Sequence, residues 1–287
     1  MEAHEITYAA VFGITSALSV LLNATVILCN VAKAAKLQPN SFLAFCLCCS
    51  DGYNSFINAL VSVLNVFAPL EQAEHRCHIL GYFSYTGHSI SLLLVLGLTI
   101  CRYMFIVLEL KVPRKFGWVY SSVAVVASAI FCTMPLLIPP QNENNYLPSK
   151  SRVACGYIWN DPDTKGRIIS SMSLVVMVVP IIFIVYAYSR IYTLMKRSIT
   201  EMKRVLSVGS KNSLDHHHES LAATAGALKK CVELDEEQRA LLIQSVFICV
   251  SFATGWSTYV GMVLYESFTG NEIPPALDFS ATRFKEI

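Results

Sequence analysis

The sequence predicts an all-α integral membrane protein, a bundle of seven helices whose seventh is cut short by the end of the chain. Three observations lead there. The composition is 54% hydrophobic and 15% charged with a mean hydropathy of +0.50, whereas soluble domains carry roughly 25% charged residues. Six apolar runs of about 20 residues or more, the length that crosses ~30 Å of hydrocarbon, follow one another along the chain. Lysine and arginine crowd into alternate connecting segments, as the positive-inside rule requires of a multi-pass protein.

The first span covers about 8–31. The preceding "MEAHEITYAA" has no basic n-region, and the apolar stretch outruns a signal-peptide core without a small-residue cleavage site, so it reads as a retained helix. Further spans follow at about 41–66, 77–108, 118–137, 168–195 and 240–264. A partial seventh begins near 273, and its 15 residues to Ile287 reach about 22 Å as helix. The segment 196–239 is basic at its flanks and of low complexity in "GSKNSLDHHHESLAATAGALKK", which reads as a disordered cytosolic linker. His216, His217 and His218 within it lack the second ligand pair of a specific metal site, so no metal is expected. All 287 residues therefore read as one domain.

Orientation follows from the basic residues. With the N-terminus outside, fifteen lysines and arginines from Lys33 to Arg239 lie on the inner side, and five (Arg76, Lys150, Arg152, Lys165 and Arg167) on the outer. Arg102, in "LLLVLGLTICRYMFIVLEL", then lies near the cytosolic end of the third span. A guanidinium at mid-bilayer costs about 2.5–3.5 kcal/mol on insertion scales, so its position at the boundary and its partners matter. Of ten cysteines, only Cys77 and Cys155 face the oxidising side, which makes them the economical disulfide pair, with two free thiols as the alternative. A net charge of +2 without a basic stripe interleaved with aromatics gives no reason to expect a nucleic-acid partner.

Polar residues inside the spans carry the functional information, because each needs a partner there. Asp51 in "FCLCCSDGYNSFIN" is followed on nearly the same face by Asn54 and Asn58. A cluster of Asp51 with Asn23 and a hydroxyl such as Ser89 or Ser91 suits a cation or water network, or equally a hydrogen-bonded clamp between helices without an ion. In the third span His78, Tyr82, Tyr85 and Ser89 recur at helical spacing, with His88 alongside. In the sixth, Phe252, Trp256 and Tyr259 lie at comparable depth. Two aromatic stripes below a tethered loop favour a small-molecule cavity over plain packing.

These residues resemble the rhodopsin-like seven-helix G protein-coupled receptors. The likeness is carried, in the family's order, by Asn23, "LCCSD" ending in Asp51, Cys77, "CRY" (Cys101, Arg102, Tyr103), Cys155, Pro180 with Tyr188, and "FATGWSTY". Cys77 and Arg102 stand 25 positions apart on one helix. The sequence departs from the family pattern in having Cys101 where an acidic residue is usual. It also has Thr258 for the sixth-span proline and Gly255 for its cysteine. Trp118 lies nearer the start of the fourth span than the usual tryptophan, and the Asn-Pro-x-x-Tyr motif of helix seven is absent.

The resemblance implies a plasma-membrane receptor with an extracellular N-terminus, signalling to a heterotrimeric G protein when a ligand moves helix six outward. Arg102 would be the cytosolic switch, exchanging resting acceptors for Tyr188 and the G protein. Tyr82, Tyr85, His88, Ser89, Trp256 and Tyr259 would line the ligand cavity. Within the family, "IPPALDFSATRFK" looks like the opsin segment that bears the retinal lysine, and Lys285 lies 29 residues after Trp256. That makes retinal the one candidate cofactor. A protonated Schiff base wants a counterion in low dielectric, yet the third span has no Asp or Glu between Cys77 and Arg102, and Asp278 is the nearest carboxylate. A transporter or channel is the alternative from another class; the visible internal repeat and charged path expected of it are missing. An intramembrane enzyme would need a nucleophile and base on facing helices, which Ser89 or Ser91 with His88, all on one helix, do not supply.

Overall fold

The computed structural model of the chain describes residues 3–67, 70–137, 146–149, 154–157, 164–212 and parts of 254–277. The helices are α1 (Ala3–Asn30), α2 (Pro39–Phe67), α3 (Leu70–Ile106), α4 (Arg114–Leu137) and α5 (Thr164–Asn212), with a 3₁₀ turn over Val31–Lys36 and a hairpin of β1 (Tyr146–Pro148) and β2 (Cys155–Tyr157). Residues 260–266 are also helical. Most of the expected sixth and seventh spans, with Trp256, Tyr259 and Lys285, lies outside the described residues, as does the linker beyond Asn212.

Among the described residues, four helices are long and apolar enough to cross a membrane, containing Ile6–Lys36, Arg76–Ile106, Arg114–Met134 and Ser171–Arg197. The α2 helix has 29 residues, about 43 Å at 1.5 Å per residue, but Ser50, Asp51, Asn54, Ser55, Asn58 and Ser62 dilute its hydropathy. Those same residues matter inside the bundle. Ser50, Asn54, Ser55, Asn58 and Ser62 are all buried, while Leu18, Leu22 and Leu28 of α1, Val119 and Ile130 of α4, and Ile182 and Val185 of α5 are exposed. Apolar outside and polar inside is the inverse of a soluble protein and suits lipid as solvent.

Local chemistry explains the helix ends. Pro39 opens α2, where its missing N–H would have had no helical acceptor. Pro113 precedes α4, and its carbonyl accepts the Phe116 N–H at 2.9 Å. After α3 the chain turns through Glu109, a non-glycine residue at φ 53°, a left-handed conformation that costs about 1–2 kcal/mol. Pro180 lies inside α5, where its ring frees the Val176 carbonyl from the helical ladder.

One sequence expectation changes. Part of the linker expected from 196 onward is instead helix, because α5 continues to Asn212. The extension "KRSITEMKRVLSVGSKN" contains no proline and is rich in residues that tolerate helix, so nothing local stops it. High polarity does not by itself mean disorder, since a helix that has left a bilayer is free to carry polar residues on every face.

The centre of the assembly is α3, which touches α2, α4, α5 and both strands. Its contact with α4 depends on Gly97, because a Cβ there would run into the ring of Tyr120, whose O–H donates to the Leu93 carbonyl at 2.8 Å. Beside the Leu70 end of α3 the strands pair antiparallel, with Tyr146 opposite Tyr157 and Pro148 opposite Cys155. The Cys77–Cys155 disulfide fastens this hairpin to α3 across 78 residues of chain.

Two stability predictions follow from these contacts. Gly97→Val should displace Tyr120 and lower stability by about 1–3 kcal/mol, the usual cost of overpacking. Thermal unfolding in detergent checks this, and an unchanged midpoint would show that the α3–α4 contact is not tight. Cys155→Ser should lose about 2–5 kcal/mol, the range for removing a native disulfide, seen as a lower unfolding midpoint that added reductant does not lower further.

Candidate functional site

Three polar layers lie along α3, and each uses a different neighbour. Toward the Leu70 end of α3, Gly81 has no side chain to hold off the hairpin, and a Cβ there would stand 2.7 Å from the Cβ of Tyr146. Tyr146 therefore sinks into the bundle until only 1% of it is exposed. Its ring lies 5.6 Å from that of Tyr85 and 6.1 Å from that of Tyr157, centroid to centroid. The cluster is completed by Leu92, Cys132, Met177 and Val263, with Tyr82 and Met262 packed against it. Met262 and Val263 come from the helical residues 260–266, so that part of the sixth span meets the same cluster as the third-span tyrosines.

The expected cavity residues divide within this layer. Tyr82 accepts a long hydrogen bond from Thr133 at 3.5 Å, and Ser89 faces the Cys132 sulfur of α4 at 3.6 Å. Tyr85 is in the aromatic cluster. His88 is buried, with Nδ1 2.6 Å from the Ser84 carbonyl of its own helix. A carbonyl only accepts, so the proton sits on Nδ1. Tyr82, Tyr85 and Ser89 thus converge toward α4 and the hairpin, while the His88 Nδ1 is committed to α3. Trp256 and Tyr259 lie outside the described residues.

Sequence reasoning missed Tyr146 and Tyr157. The available signal was their position: aromatics flanking a disulfide cysteine, Tyr157 two residues after Cys155, in a connection of otherwise polar character.

The middle layer joins α1, α2 and α3. Ser91 Oγ lies 2.7 Å from Asp51 Oδ1 and 2.9 Å from Ser50 Oγ. A hydroxyl has one proton and a carboxylate only accepts, so Ser91 donates to Asp51. Nearer the Leu70 end of α3, Ser84 donates to Asn58 Oδ1 at 2.8 Å. Asn23 does not join Asp51. Its amide donates to the Ser19 carbonyl at 3.0 Å and the Ser19 hydroxyl at 3.3 Å, and Ser19 is bonded to Ser55 of α2 at 2.8 Å. Of the cluster expected from the sequence, Asn23 and Asp51 with Ser89 or Ser91, the structure brings Ser91 to Asp51, while Asn23 bonds within α1 and Ser89 turns to α4. The physical reason is angular: residues two apart on a helix point about 200° apart, so Ser89 and Ser91 face different neighbours.

Toward the Ile106 end of α3, Arg102 is 8% exposed and donates from a guanidinium nitrogen to the Tyr188 hydroxyl of α5 at 3.2 Å. Tyr103 sets its ring 6.4 Å from those of Phe183 and Tyr186 on the same helix. Cys101 points elsewhere. It is buried with Leu43, Leu94 and Leu98, flanked by Phe116 and Tyr120. Consecutive helical residues diverge by about 100°, so "CRY" addresses α2 and α4 with its cysteine and α5 with its arginine and tyrosine. Among the described residues no group of three or more His, Cys, Asp or Glu is arranged to hold a metal ion.

The comparisons agree with this arrangement. The family described as 7 transmembrane receptor (rhodopsin family) matches residues 22–284. No curated protein matches the chain. The crystal structure of squid rhodopsin is similar in fold, with a TM-score of 0.71 at 16% identity, covering 100% of this chain and 84% of that one. With nearly its whole length inside the family match, its polar layers strung along one central helix and its outer hairpin tied to that helix by a disulfide, the chain belongs to the rhodopsin family of seven-transmembrane receptors.

Proposed function

We propose that this receptor binds a small ligand in the outer half of the bundle, beside Tyr82, Tyr85 and the hairpin tyrosines, and signals to a heterotrimeric G protein from the inner end. The reading places it in the plasma membrane with its N-terminus outside. One observation carries it: the buried Arg102–Tyr188 hydrogen bond joins α3 to α5 at the inner end, on the same helix whose outer end holds the aromatic cluster. A ligand that rearranges the outer cluster acts on α3 directly. It shifts the equilibrium only by its difference in affinity for the two states, and ~5.5 kcal/mol takes a 1:99 population to 99:1. Outward movement of helix six would then open the surface around Arg102 to the G protein.

Cys101 supplies the test. An acidic side chain at this position would offer Arg102 an ionic partner in the resting state, and the thiol does not. Cys101→Asp should lower ligand-independent G protein activation severalfold relative to the wild type at matched surface expression. Cys101→Asn, of similar shape without charge, should not. Equal basal signalling from all three would sink this role for position 101.

Retinal at Lys285 fits the residues poorly. A protonated Schiff base needs a nearby anion, and α3 has no carboxylate from Cys77 to Arg102. Incubation with retinal is expected to give no visible absorbance band. A band that disappears in Lys285→Ala would establish the pigment reading instead.

A further inference from the structure

We propose that the corner where the 3₁₀ turn, the start of α2 and the start of α4 meet is a docking site for the headgroup of an anionic glycerophospholipid. The corner is built by close packing. The Cα and carbonyl oxygen of Pro39 lie 3.6 Å from where a Cβ on Gly117 would stand, and the rings of Phe42 and Trp118 are 4.3 Å apart. This contact draws together two stretches that are far apart in sequence and both basic. Lys33 and Lys36 occupy the last turn of the 3₁₀ segment, and Lys111, Arg114 and Lys115 lead into and open α4. All five are exposed. Across 31–40 and 107–118 the only acidic residue opposing them is Glu109, and the first turn of α4 has none.

Topology alone explains basic residues on this side of the membrane, but not the aromatic that accompanies them. Trp118 is 53% exposed, and the outward face of α4 continues from it through the exposed Val119, Val123, Val126 and Ile130. The positive corner therefore opens sideways onto the hydrocarbon-facing strip. An indole at headgroup level with cations beside it, above an apolar wall, matches a phospholipid in three parts: ring at the interface, cations on phosphate and carboxylate, apolar strip along the acyl chains. An acidic protein would complement the charge but would leave the apolar strip unmatched, so the lipid is the occupant the geometry favours.

The test uses Trp118 as its own probe. The chain has three tryptophans, so a Trp159→Phe, Trp256→Phe background reports from Trp118 alone. In phosphatidylcholine nanodiscs containing a brominated-chain lipid at fixed mole fraction, brominated phosphatidylserine should quench Trp118 better than brominated phosphatidylcholine, with a relative affinity of roughly fivefold or more. Lys33→Gln, Lys36→Gln, Arg114→Gln and Lys115→Gln together should bring the two lipids to parity. Native mass spectrometry of the chain with all its tryptophans should likewise retain more phosphatidylserine than phosphatidylcholine, and lose that preference in the four-residue variant. Parity in the wild type by either method overturns the proposal. So does a variant that keeps the lipid preference, or one in which only G protein coupling falls, which would assign the corner to a protein partner.

Discussion

Burial of polar groups away from water is the constraint from which this bundle's arrangement follows. In hydrocarbon an unpaired hydroxyl or carboxylate costs several kcal/mol, so interior polar side chains are favoured where their own helix or a neighbouring one supplies a complement. The complements are concentrated on α3: Ser91 for Asp51, Ser84 for Asn58, the Gly87 carbonyl for Ser50, and the Leu93 carbonyl for Tyr120. Such pairs also set register. A one-residue slide of α2 along α3 would leave Asp51 and Asn58 without their serines, whereas a slide between two purely apolar faces would meet little resistance. Glycine makes the approach possible. At Gly87 and Gly97 the neighbouring Asn54 and Tyr120 occupy the volume that a side chain would have filled.

Fixing α3 this way links the two ends of the molecule. The hairpin cannot move far without dragging α3, because Cys155 is bonded to Cys77 and Tyr146 lies against Gly81. The other end of α3 is held to α5 through Tyr188 and an apolar patch of Val95, Ile184, Ile191 and Met195. Tightly packed contacts of this kind have few alternative arrangements, so a disturbance is passed along the helix and resolved where the contacts are polar and exchangeable.

How much of this was legible in the sequence depended on whether the signal was local or paired. Composition and run length disclosed the membrane class, since hydropathy reports directly on the surrounding solvent. The disulfide emerged from compartment logic, because only Cys77 and Cys155 were left on the oxidising side. The importance of Asp51 was visible from its charge alone. Its partner was not: choosing Ser91 over Ser89 requires the rotation of α3, which hydropathy cannot set when apolar residues surround the helix. Gly81 was also silent, because the absence of a side chain acquires meaning only once Tyr146 is known to fill the gap. The helical extension of α5 was hidden for the opposite reason, in that its polarity described its solvent and said nothing of its backbone.

The same distinction bears on the cysteine in "CRY". Read along the chain, an uncharged residue beside Arg102 is a missing ion-pair partner. In space, Cys101 packs with Leu43, Leu94 and Leu98, contacts that a carboxylate drawn to the neighbouring guanidinium would give up. An apolar residue suits that packing, while Arg102, one position on, reaches the Tyr188 hydroxyl of α5. A neutral acceptor holds a cation less strongly than a carboxylate does. Packing of α3 against α2 and α4 and the polar tie to α5 are thus the work of neighbouring residues, separated only by the 100° between them on a helix.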